Sequence, residues 1–177
     1  MKRAYYSGIR ATLGAFLLLV SYAPTAAAQG LEFSEEDTVI VTAARAWEAD
    51  EGDVVHFSGN FELRAPDWTL QGETAVVYGK LDDPDRVVVE GNPARVSFLR
   101  QPDEDQSQPV EEERVDGSAA LVEYFRSTDK LVMRGAATLT RKDSALDSES
   151  IEYDVETDRY SASGQGGINI LLNLEED

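Results

Sequence analysis

Val54 to Tyr78 reads VVHFSGNFELRAPDWTLQGETAVVY, and its two halves return downstream with the same punctuation. The first half is an alternating run into a glycine, Val55-x-Phe57-x-Gly59. It recurs as Val87-x-Val89-x-Gly91, Leu131-x-Met133-x-Gly135 and Tyr160-x-Ala162-x-Gly164. The second half, Val76-x-Tyr78, returns as Val122-x-Tyr124 and Ile151-x-Tyr153. Period-two alternation is what a strand with one apolar face requires, because successive side chains point to opposite sides of the sheet. The unit is therefore a strand pair, and the chain is a series of such pairs.

The spacings hold a register, as stacked repeats must. Gly59 to Gly91 is 32 residues, Gly135 to Gly164 is 29, and Gly91 to Gly135 is 44. The long interval contains a polar loop of 14 residues, Gln101 to Arg114 (QPDEDQSQPVEEER), without which it shrinks to 30. Aligning the repeats sorts the faces. Two and four residues before each glycine stand Phe57 and Val55, Val89 and Val87, Met133 and Leu131, Ala162 and Tyr160; immediately before it stand Ser58, Glu90, Arg134 and Ser163. The first set is the expected interior, joined in the tyrosine rungs by Val76, Tyr78, Val122, Tyr124, Ile151 and Tyr153. After Gly91-Asn92, Pro93 is expected to shift the phase, making Ala94, Val96 and Phe98 the apolar set.

Met1 to Ala28 reads as an export signal. Lys2, Arg3 and Arg10 form a basic start, Ala11 to Val20 an apolar core, and Ala26-Ala27-Ala28 a small-residue cleavage pattern. The apolar run is about half of the roughly 20 residues a spanning helix needs. Cleavage would leave residues 29–177 as one domain of 149 residues carrying 13 basic and 34 acidic side chains, a net charge of −21. That balance disfavours nucleic acid and anionic membrane surfaces as partners. The chain has no cysteine, so packing and strand ladders must hold it together, as is common in the bacterial periplasm.

Turn signals punctuate the rest: Glu48 to Asp53, Ala65-Pro66-Asp67, Gly79 to Asp85, Ser127 to Asp129, Lys142 to Ser144 and Glu156 to Asp158. Thr38 to Ala44 is the expected first strand and Ile168 to Leu174 the last. Gly59-Asn60 marks a tight reversal or a bulge. The apolar residues Ala43, Ala46 and Trp47 hint at a helix over Thr42 to Glu51, but β-rich flanks and Gly52 argue against it. The expectation is an all-β protein of about 11–13 short antiparallel strands, with open ends where the first and last strands lack partners.

Catalytic chemistry has little to stand on. The single histidine, His56, falls mid-strand in the outer phase. One histidine and no cysteine do not make a transition-metal cluster. Asp82-Asp83-Pro84-Asp85 lacks the alternating oxygens and glycine of an EF-type calcium loop and reads as a solvated turn. No carboxylate pair stands in an apolar setting of the kind glycoside cleavage needs. The sequence implies no enzyme, no cofactor and no metal.

FSGNFEL, WTLQGETAVVY, VVVEGNPARV, VDGSAALVEY, LVMRGAATL and SESIEYDVETD, in this order from about Thr38 to Ile168, resemble the repeated motifs of the LptA/OstA family, the periplasmic bridge of lipopolysaccharide transport. The resemblance implies an elongated β-jellyroll open at both ends, which carries lipopolysaccharide acyl chains in its interior and stacks head to tail. It also implies same-fold partners in the inner-membrane anchor and outer-membrane translocon. On that reading the acyl chains meet Val55, Phe57, Phe61, Leu63, Val76, Tyr78, Val89, Leu131, Met133, Leu139 and Ile151. The sequence departs from the family pattern at Ala136, where asparagine often follows the glycine. Two other readings stay open: an envelope module whose apolar faces pack into a closed core, and a glycan-cleaving enzyme with two facing carboxylates.

Overall fold

The structure, a computed structural model, describes residues 38–49, 53–81, 83–100, 113–142 and 144–172. The export signal and residues 101–112 lie outside the described residues. Ten strands form one antiparallel sheet: β1 (Ile40–Thr42), β2 (Arg45–Glu48), β3 (Val54–Arg64), β4 (Trp68–Lys80), β5 (Asp83–Arg100), β6 (Glu113–Phe125), β7 (Lys130–Arg141), β8 (Ser144–Asp154), β9 (Arg159–Ser163) and β10 (Asn169–Leu172). The only helical turn among the described residues is the 3₁₀ segment Arg126–Thr128. Strands β3 to β8 pair in sequence order, each antiparallel to the next. The described residues hold ten strands against the 11–13 expected of the whole chain, and they are long because Gly59-Asn60 does not end a strand. It is a bulge inside β3, with both residues at positive φ (82° and 52°). Within the stretch weighed as a helix, Arg45–Glu48 is strand β2, and Glu113 and Arg114 of the expected polar loop begin β6.

The same interruption crosses the whole sheet. Register breaks fall between Ser58 and Phe61, Gln71 and Thr74, Glu90 and Ala94, Ser118 and Leu121, and Arg134 and Ala137. Small residues meet along this line: a Cβ on Gly59 would lie 2.7 Å from that of Ala44, and one on Gly135 2.9 Å from that of Ala120. At both glycines φ is +82°, a conformation that side chains resist. The row of bulges is a crease dividing each long strand between two leaves. The first leaf holds β2, residues 54–58, 74–80, 83–90, 121–125, 130–134 and 150–154, and β9. The second holds β1, residues 61–64, 68–71, 94–100, 113–119, 137–141 and 144–148, and β10.

The leaves fold onto each other. Phe98 and Tyr153 lie three strands apart in the sheet, about 14 Å at the usual strand spacing, yet their ring centroids are 5.7 Å apart. Gly117 pairs with Leu139 and Met133 with Val122, so the sheet alone keeps Gly117 and Met133 well apart. A Cβ on Gly117 would nevertheless lie 2.6 Å from the Met133 sulfur. The core lies between the leaves: Phe57, Val87, Val89, Val122, Leu131, Met133, Ile151 and Tyr153 from the first, Phe61, Leu63, Leu70, Val96, Phe98, Val115 and Leu139 from the second.

Candidate functional site: the apolar interior and its rim

Each inner row is made by the alternation read from the sequence. Phe57, Phe61, Leu63, Val89, Leu131, Met133, Leu139 and Ile151 are buried on the inner face, and Val55 is half-buried against the same cluster. Two of the eleven residues expected there are not on that face. Val76 and Tyr78 pair with His56 and Val54 and look outward, while Ala75 and Val77 are buried beneath them. The cause is where the motif falls after the crease. The last inward residue of the second leaf and the first of the first leaf stand an odd number of residues apart in all three strands: Leu70 to Ala75 in β4, Ala119 to Val122 in β6 and Ser148 to Ile151 in β8. The tyrosine motif begins on that first inward residue in β6 and β8 but one residue after it in β4, so Tyr124 and Tyr153 point in and Tyr78 does not. The Pro93 phase shift has the same origin, and Ala94, Val96 and Phe98 are buried as expected.

The two buried tyrosines share a local device. Tyr124 donates its hydroxyl hydrogen to Asp129 Oδ1 at 2.7 Å, and Tyr153 to Asp158 Oδ1 at 2.6 Å. Each aspartate stands five residues on, at positive φ (46° and 53°), in the turn that follows. Tyr78, facing out, instead lies under the Arg86 guanidinium, 5.0 Å from the ring centroid. Burial, with the Asp158 hydrogen bond next, pushes the Tyr153 phenol well above its ordinary ionisation range.

Asp158 also closes the mouth opposite the crease. It sits in the turn at the far end of the first leaf, and arginines at the far end of the second reach it. Arg100 Nη1 is 3.0 Å from Asp158 Oδ2, and Arg141 Nη1 bonds Asp158 Oδ1. Arg100 is also 3.5 Å from Glu113, and the Arg141 guanidinium lies 5.7 Å from the Tyr160 ring centroid. All four ionic side chains are about a fifth to a third exposed. Sequence reasoning missed this latch, which joins residues 58 positions apart at its widest. The buried carboxylate of Glu123 was missed too: it lies on the outside of the first leaf, clamped between Arg86 and Arg134. His56 stacks on Trp47 with centroids 5.3 Å apart.

The two edges of the sheet are apolar and exposed. β1 and β2 line one free edge with Ile40 and Trp47 about half exposed; β10 ends the other with Ile170, Leu171 and Leu172, the last 62% exposed. Neither edge has a strand beyond it among the described residues.

This is an antiparallel sheet folded over its own apolar face, with two edges that are unpartnered among the described residues. Residues 41–159 match the family LptD_N, described as LptA/(LptD N-terminal domain) LPS transport protein. The chain belongs to that family. Its fold is similar to that of LptH, the LptA-homologous periplasmic component of the lipopolysaccharide transport device of Pseudomonas aeruginosa: TM-score 0.65, 18% identity, covering 77% of this chain and 96% of that one. No curated protein matches the chain in sequence.

Proposed function

We propose that this protein is a non-enzymatic periplasmic carrier that shields lipopolysaccharide acyl chains between its two leaves on their way from the inner to the outer membrane. The observation that carries the reading is the continuous apolar inner face, which spans both leaves and runs to two apolar, unpartnered edges. Burying a methylene stabilises by about 0.8 kcal/mol, so one tail of about ten methylenes gains roughly 8 kcal/mol before binding costs. No polar geometry has to be fixed for that. The export signal at residues 1–28 delivers the protein, and residues 29–177 form the carrier domain.

The free edges supply the assembly. An exposed strand edge is a template for another strand, so β1 and β2 of one copy pair with β10 of the next, or with the edge of a same-fold partner in the inner-membrane anchor or outer-membrane translocon. Apolar rows then continue from one domain to the next.

One observation favours a second reading, an envelope module with a permanently closed core. Leu131, Met133 and Ile151 are 0% exposed, so the leaves are in full contact. On the carrier reading the tails part the leaves about the crease; on the second reading nothing does. A photo-crosslinking residue at position 133 or 134 separates them in cells making lipopolysaccharide. Capture at 133 and not at 134 is expected; no capture at either, or equal capture at both, defeats the carrier. Sedimentation tests the assembly, which fails if the protein stays monomeric at all concentrations and binds no related domain.

A further inference from the structure

The outside of the second leaf carries a different kind of surface. Arg64, Arg95 and Arg114 converge on a cavity of about 510 Å³ lined otherwise mostly by hydroxyl and amide side chains together with Val96 and Gly117, with Asp116 as its one carboxylate. Gln71, Arg95, Ser118 and Thr138 lie side by side in one register row across β4 to β7. Five hydroxyl side chains line the cavity in all. Glu62 pairs with Arg64, Asp116 with Arg114, and Thr138 donates its hydroxyl hydrogen to Asp147 at 2.8 Å, which leaves Arg95 as the cation at the centre of the hollow on a chain whose formal charge is −18.

The pairing in this hollow is loose. Arg64 meets Glu62 and Arg114 lies 3.2 Å from Asp116, both exposed pairs that an incoming anion can exchange. Arg95, in the middle strand, pairs with no carboxylate among the described residues. A row of arginine and hydroxyl side chains does not suit an acyl chain, and the overall charge repels a polyanion such as nucleic acid. What fits is small, has one or two negative groups for the guanidinium forks, and otherwise presents hydroxyls to a ladder of hydroxyls that both donate and accept. The volume is within the usual range of small-molecule sites, about 300–1,000 Å³.

We propose that this face binds an anionic saccharide, one or two sugar rings bearing a phosphate or a carboxylate, with Arg95 reading the charge and the hydroxyl row reading the ring. The site stands on its own lining. That the sugar is the head group of the lipid whose tails lie inside rests on the carrier reading; the alternative source is a free sugar phosphate or uronic acid.

The test is an amide-resolved NMR titration of the whole exported chain with glucose 6-phosphate, glucuronate, neutral glucose and inorganic phosphate. Shifts centred on Arg95, Ser118 and Thr138 are expected with the two anionic sugars, weakened by salt. Arg95→Gln, at an exposed position, should keep the remaining spectrum and weaken binding about tenfold, as loss of one charge-assisted hydrogen bond does. Glucose binding as well as glucuronate, inorganic phosphate binding as well as glucose 6-phosphate, or no effect of Arg95→Gln would overturn the proposal. Intact and deacylated lipopolysaccharide distinguish the two claims. Sugar-dependent shifts without acyl capture at Met133 would support this site and sink the carrier; acyl capture with no shift at Arg95 would do the reverse.

Discussion

Replacing Asp158 by alanine removes the acceptor that joins the far ends of the two leaves. The carboxylate takes hydrogen bonds from Arg141 and from the Tyr153 hydroxyl at 2.6 Å, and lies 3.0 Å from Arg100. Hydrogen bonds to a charged group each contribute about 1.5–3 kcal/mol, and a buried donor left unmet costs about 1–3 kcal/mol. Side-chain exposure of about a fifth to a third in the cluster lets water replace part of this. The expected loss is therefore about 2–3 kcal/mol, not the full sum. For a urea slope near 2 kcal/mol/M the unfolding midpoint should fall by about 1 M. Arg141→Ala alone should cost less, and the double variant should show coupling of at least about 1 kcal/mol. A loss below about 0.5 kcal/mol, with no coupling, would refute the latch. On the proposed carrier reading, in which acyl tails part the leaves, Asp158→Ala should also speed acyl capture at Met133 without changing that at Arg134.

Gly135→Ala forces a side chain to φ +82° with its Cβ 2.9 Å from that of Ala120, so calorimetry should show a loss of about 1–2 kcal/mol. The Tyr153 phenol ionises above its ordinary value of 10.0; a raised folded value gives stability that is intact below pH 10 and declines as pH rises past it. Urea titrations across that range should show the decline in the native sequence and a flatter curve in Tyr153→Phe. Leu172→Asp, on an edge residue 62% exposed, should leave stability within about 0.5 kcal/mol yet abolish any concentration-dependent assembly seen in sedimentation.

Much of the architecture was legible in the chain because alternation and glycine spacing are local signals. Phe57 and Val55, Val89 and Val87, Met133 and Leu131 occupy the inner face the repeats assigned them, at full or partial burial. Tyr160 shares their phase but lies at the rim, 43% exposed, beside Arg141. Val76 and Tyr78 went the other way. Their motif is the same as Val122-x-Tyr124, but in β4 it begins one residue past the first inward position after the crease, so Ala75 and Val77 turn inward instead. Side-chain phase has a period of two, so a one-residue difference in where a motif begins after the bulge reverses which of its side chains face in.

What the sequence by itself determined is the class of element, the order of strands and the family, since each is written in neighbours no more than a few residues apart. The folded chain alone decided which partners meet across the leaves. Tyr153 against Phe98, Arg100 and Arg141 on Asp158, and three arginines around one polar hollow bring together residues that no local pattern links. Those meetings depend on where the crease falls in every strand at once, and the crease is a property of the sheet.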